Sequence, residues 1–137
     1  NLIAEDLSPI EKVNKIIEYY IQQVISNIDI HQIIQNEISN NKREFNLNAF
    51  AEVKKNNLAL LKYVITEGQM QGLFNESVKS ELIAPMIIGT VIYFHLNKSF
   101  YKDILTIKNN DDYDDYLKND LTIHLQKTIN AILTNET

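Results

Sequence analysis

Residues 58–101 read LALLKYVITEGQMQGLFNESVKSELIAPMIIGTVIYFHLNKSFY. A helical apolar pattern runs through Leu58, Leu61, Val64 and Ile65 into Gly68 and Gly72, and breaks at Leu73–Phe74. It restarts as a second helix, Leu82 to Leu96, that is almost wholly apolar. A surface helix buries one stripe, whereas a helix apolar all round must be covered on every side. One domain this small has too little chain to do that alone. One face of this helix is therefore expected to meet the chain's own helices and another to meet a second copy.

The rest of the chain reads as helices placed around that stretch. Ser8-Pro9-Ile10-Glu11 is a capping box with Pro at the first helical position. The helix it opens carries Ile10, Val13, Ile17, Tyr20, Ile21, Val24 and Ile28 at spacings of three and four. Asn27 or Asp29 caps a short second helix with Ile30, Ile33, Ile34 and Ile38 on one face. A third helix is expected from Leu47 to Gln71, ended by Gly72 as a left-handed cap. A fourth is expected from Ser77 to Ile104. Pro85 cannot donate to the Glu81 carbonyl, which predicts a kink there. Asn109–Asp115 reads as an acidic break, followed by a last helix bearing Tyr116, Leu117, Leu121, His124, Leu125, Ile129, Ile132 and Leu133. No segment alternates with period two. The expectation is one all-α domain over residues 1–137, a bundle of about five helices.

Composition narrows the function. The chain of 137 residues is 45% hydrophobic, which suits one domain with a sizeable core. With no Cys, disulfides and thiolate metal sites are excluded. The net charge is −5 and Arg43 is the one arginine, so direct phosphate neutralisation on duplex DNA is not expected of this chain. Leu82–Leu96 is shorter than the roughly 20 residues a membrane span needs, and Pro85, Gly89 and His95 interrupt it. No secretory signal opens the chain. A cytoplasmic protein without a membrane segment is the expectation.

The candidates for chemistry are few. His31, His95 and His124 fall on three different helices, and none forms an HExxH pair. Asp111, Asp112, Asp114 and Asp115 lack the central Gly and closing Glu of a calcium loop, and acidic residues in a first helical turn are favourable against the helix dipole. Gly68 and Gly72 have no following Lys-Ser/Thr, so they make no phosphate loop. No nucleophile–base–acid order stands out. Neither catalysis nor a metal or cofactor is expected. The aromatic side chains are more informative, since Tyr offers an apolar body and a polar tip that suit a ligand pocket.

The run from Val64 to Phe94 resembles the TetR family of bacterial transcription regulators, in its C-terminal regulatory domain. Members often carry a helix ending in E-G-x-x-x-G-x-F, a short polar linker, and a long apolar dimerisation helix containing a Gly. The matching residues are Glu67, Gly68, Gly72, Phe74 and Gly89. The helix order fits along essentially the whole chain. The resemblance implies a helix-turn-helix domain of about fifty residues ahead of this one, which nothing before Ser8 could hold. It also implies the mechanism: a small molecule binds inside the domain and shifts the spacing of two DNA-binding heads in a homodimer. The ligand must favour one spacing over the other to shift anything.

Two sets of residues follow as expectations. A ligand cavity lies between the helices starting near Ser8, Leu47 and Ser77, with Tyr20, Val24, Phe50, Leu61, Val64, Met86 and Tyr93 as walls. These are mainly apolar with tyrosine hydroxyls as orienting groups, so the effector is a hydrophobic or amphipathic small molecule. An isologous dimer forms through the last two long helices, with Ile87, Val91, Phe94, His95, Leu121, His124, Leu125 and Thr128 in contact. The alternative is a helical homodimeric interaction module whose core is filled and takes no ligand.

Overall fold

The computed structural model describes residues 6–28 and 47–135, with residues 47–54 as backbone only. Helix α1 (Pro9–Ser26) opens as its sequence predicts: Ser8 Oγ accepts from the Glu11 backbone N–H at 3.3 Å and donates to the Glu11 carboxylate at 3.0 Å. Val13, Ile16, Ile17, Tyr20, Ile21 and Val24 are all buried. That stripe is wide because α1 is the spine of the bundle. It packs on α2 (Leu47–Met70), α3 (Ile83–Leu96) and α6 (Thr122–Thr134). The expected short helix over residues 29–38, with His31, lies outside the described residues.

The end of α2 is the most tightly specified corner. Gly72 has φ 73°, a left-handed conformation that costs a glycine little. The reversal lets the Leu73 and Phe74 N–H groups both donate to the Gly68 carbonyl, at 2.8 and 3.1 Å. Phe74 then folds back into the core, its ring lying directly over Gly68. Gln69 Nε2 holds the following loop by donating to the Asn75 and Val78 carbonyls at 2.9 and 3.1 Å. Asn75 ties that loop to the far end of the chain. Its backbone N–H donates to Leu133 O at 2.7 Å, and its amide donates to Ile132 O at 3.1 Å and to Asn135 O, satisfying carbonyls at the C-terminus of α6.

The expected fourth helix, 77–104, is divided. A 3₁₀ turn at Ser80–Leu82 leads into α3, and a second helix, α4 (Lys98–Leu105), follows a break at Asn97. The Asn97 amide takes the Tyr93 carbonyl at 2.9 Å, alongside its own N–H at 3.1 Å, a side chain competing for a helical acceptor. Pro85 makes no mid-helix kink. It stands third in α3, within the first turn, where N–H groups lack an intrahelical partner in any case. The interruption is at Asn97 and not at Pro85.

The acidic stretch expected as a break is itself helical. Asn109 Oδ1 accepts from the Asp112 N–H at 2.7 Å and caps α5 (Asn110–Tyr116), with Asp111 and Asp112 in the first turn. A π turn at Leu117–Leu121 joins α5 to α6. Tyr113 is fully buried and its hydroxyl donates to Phe94 O at 2.7 Å, pinning α5 to the end of α3. The described residues hold six α-helices and no strand, an all-α bundle around α1.

Candidate functional site

Four of the expected ligand walls come together. Tyr20 and Val24 on α1 and Leu61 and Val64 on α2 are all buried in one apolar cluster. Each follows from helical phase, since the two amphipathic stripes face each other across the α1–α2 contact. Met86 on α3 is half-buried at the edge of the same cluster. The Phe50 side chain lies outside the described residues. Tyr93 faces the other way. It is 56% exposed, and it stands two residues past buried Val91, which at about 3.6 residues per turn is the opposite side of α3. Its ring meets Tyr101 edge-on at 6.2 Å instead of α1.

The one polar atom among the four buried walls is the Tyr20 hydroxyl, which donates to the Asn57 carbonyl at 2.6 Å. Burial, followed by the neighbouring Tyr19, pushes the Tyr20 pKa up to about 12. Burial does the same to Tyr113, with smaller contributions from Tyr101, Asp114 and Tyr116. A raised phenol pKa means that the folded state holds its proton more tightly than the unfolded chain. Both tyrosines therefore contribute stability that is complete below about pH 10 and is lost as pH rises through about 12. Alkaline unfolding followed by circular dichroism should show this decline, and Tyr20→Phe should remove part of it. An unchanged pH profile in that variant would count against the assignment.

Next to this cluster, Lys12 is buried in α1 and its ammonium meets Glu67 near the end of α2, at 3.1 Å to Oε1 and 3.4 Å to Oε2. This ion pair joins the start of α1 to the glycine corner. An open cleft of ≈ 460 Å³ lies on the Met86 side, between the 75–79 loop, the start of α3 and the end of α6. Val78, Leu82, Ile83, Met86 and Ile132 make its apolar side, and Asn75, Ser77, Lys79 and Asn135 its polar side. Met86 is the one expected wall among the described side chains that borders this cleft, and the Asn75 tether to the end of α6 brings Ile132 and Asn135 to its other side.

The expected dimer contacts divide in two. Ile87, Val91, Leu121 and Leu125 are buried inside the subunit, where their helices pack on α1. They lie in the interior of the subunit and not on its outer surface. Phe94, His95 and Thr128 are half-buried, and His124 is exposed. The outward apolar surface of α3 is formed by other residues, Leu82, Pro85, Tyr93 and Leu96, with Gly89 among them. On α6, His124, Thr128 and Ile132 follow one another at intervals of four, and Ile132 borders the cleft beside α3.

No helix among the described residues is long and apolar enough to cross a membrane. No curated protein and no solved structure matches the chain. A model of the C-terminal region of YsiA-like proteins, one of the TetR C-terminal families, matches residues 1–97, which takes in α1, α2, the glycine corner and α3. The chain belongs to this family, the C-terminal regulatory domains of TetR-type regulators.

Proposed function

We propose that this domain binds a small hydrophobic or amphipathic effector and forms a homodimer, and so controls DNA binding by a helix-turn-helix domain attached ahead of it in the cytoplasm. The observation that carries this is the family match over residues 1–97, which contains every expected ligand wall. The proposed site lies against Tyr20, Val24, Leu61, Val64 and Met86, with Phe50 as a further wall. The Tyr20 hydroxyl is the orienting group, and Tyr93 is reassigned to the outer face of α3. The proposed dimer face combines that outer face with the His124, Thr128 and Ile132 line of α6. It keeps Phe94 and His95 as neighbours at one end.

One observation favours the alternative, a homodimeric interaction module with a filled core. Tyr20, Val24, Leu61 and Val64 are each at most 6% exposed within the subunit. A thermal-shift panel of hydrophobic and amphipathic compounds separates the two readings. An effector at a hundredfold excess over its Kd should stabilise the domain by about 2.7 kcal/mol. The gain should shrink in Tyr20→Phe, which keeps the ring and removes the hydroxyl. A panel without any stabilising compound, on a protein that light scattering shows to be dimeric, would leave the module reading.

A further inference from the structure

The open cleft at the end of α6 plays no part in the effector site proposed above, apart from Met86, which borders both. Its ≈ 460 Å³ fall within the roughly 300–1,000 Å³ typical of small-molecule sites. Val78, Leu82, Ile83 and Ile132 make its apolar side, and Leu82 and Ile132 keep 62% and 39% of their surface exposed. Asn75, Ser77, Lys79 and Asn135 make its polar side. Each of these four side chains carries a hydrogen-bond donor, and none is an acid. The chain as a whole has 18 acidic residues against 13 basic ones, so a wall whose single charge is positive runs against the general balance. The Lys79 ammonium makes no ion pair among the described residues, which leaves its charge open to a guest. The Asn75 amide is already engaged by the Ile132 and Asn135 carbonyls. The donors that remain are on Ser77, Lys79 and Asn135.

We infer that this cleft is a second small-molecule site, separate from the Tyr20 site, and that it takes a small organic anion with an apolar body. The body lies against Val78, Leu82 and Ile132, and the anionic head meets the Lys79 ammonium and the Ser77 hydroxyl. Hydrogen bonds between charged groups are the stronger ones, so the head decides which compounds bind. The inference stands without the effector reading, because none of these donors belongs to the Tyr20 cluster. The two walls, 75–86 and 132–135, are joined by the Asn75 hydrogen bonds to the Ile132, Leu133 and Asn135 carbonyls. A guest that touches both walls must leave before they part, so it holds the end of α6 on the glycine corner. Leu82 and Ile132 also belong to the proposed dimer face, so the cleft opens at the edge of that face.

Three probes with one ring system test this: naphthoate, the neutral naphthamide and the cationic naphthylmethylammonium. In amide NMR spectra of the full chain, naphthoate should shift residues 77–83 and 132–135. The other two should bind about tenfold more weakly, the worth of one charge-assisted hydrogen bond. Lys79→Gln should weaken naphthoate by about the same factor, and Lys79 is exposed, so the fold is not at stake. Tyr20→Phe should leave its affinity unchanged. At about ten times its Kd, naphthoate should slow hydrogen exchange in the last turn of α6 by about tenfold. Equal binding of all three probes, or undiminished binding of naphthoate to Lys79→Gln, would overturn the anion site. Shifts centred on Tyr20 and Leu61 and abolished by Tyr20→Phe would also overturn it, and would support the effector site instead. Absence of any shift at millimolar naphthoate would sink the second site and leave the effector reading standing.

Discussion

Gly68→Ala should destabilise the domain by about 3 kcal/mol, the upper end of what an overpacked core costs. A Cβ on Gly68 would overlap Phe74 Cδ2 and Cε2 and lie 2.7 Å from Cγ, far inside any real contact. The ring cannot simply swing aside. It is 5% exposed, and its backbone is held by the N–H bond to the Gly68 carbonyl. Either the ring leaves the core, giving up the burial of a phenylalanine, or the corner after α2 unwinds. The effect should be strongly non-additive with removal of the ring. Phe74→Ala is costly alone, but Gly68→Ala added to it should cost little, since the clash is then gone. Urea melts of the two single variants and the double variant test this. A Gly68→Ala protein as stable as the parent would show that the ring does not pack as described.

The second large effect is expected at Glu67. Glu67→Ala leaves the Lys12 ammonium buried without its carboxylate, and breaking a buried pair from one side is far more costly than replacing both partners. About 2 kcal/mol is expected, below the full range for buried pairs because the Glu67 side chain is a quarter exposed. The double variant Lys12→Met with Glu67→Leu should recover most of the loss, because no orphan charge then remains. If Glu67→Ala melts like the parent protein, Lys12 finds water or another acceptor and the pair is not structural. Together with the Gly68 result, this assigns three residues of the E-G-x-x-x-G-x-F pattern to one corner. Glu67 pairs with α1, Gly68 makes room for Phe74, and Gly72 reverses the chain.

That corner was legible in the sequence, and so was the start of α1. A capping box, a glycine placed to take positive φ, and an aromatic residue two positions later are local signals whose physics needs no tertiary context. The clustering of Tyr20, Val24, Leu61 and Val64 was legible for a related reason. They lie on helices with one apolar stripe, and such a stripe fixes which side turns inward.

The phase of α3 was not legible. Its sequence is apolar around the whole circumference, so no periodicity distinguishes the face that meets α1 from the face that remains outside. Only its packing against α1 decided that Ile83, Ile87 and Val91 turn inward and that Leu82, Gly89, Tyr93 and Leu96 turn outward. That one cause separates the expected places of Ile87, Val91 and Tyr93 from the inward and outward positions they take in the subunit. The break at Asn97 and the helical acidic stretch were decided by competing hydrogen bonds, the Asn97 amide on Tyr93 O and the Asn109 cap on Asp112. The amino-acid order determined that α3 is apolar on every side. Tertiary structure decided which side belongs to the subunit itself, because an all-apolar helix is oriented by the shapes of its neighbours and not by its own hydrophobic pattern.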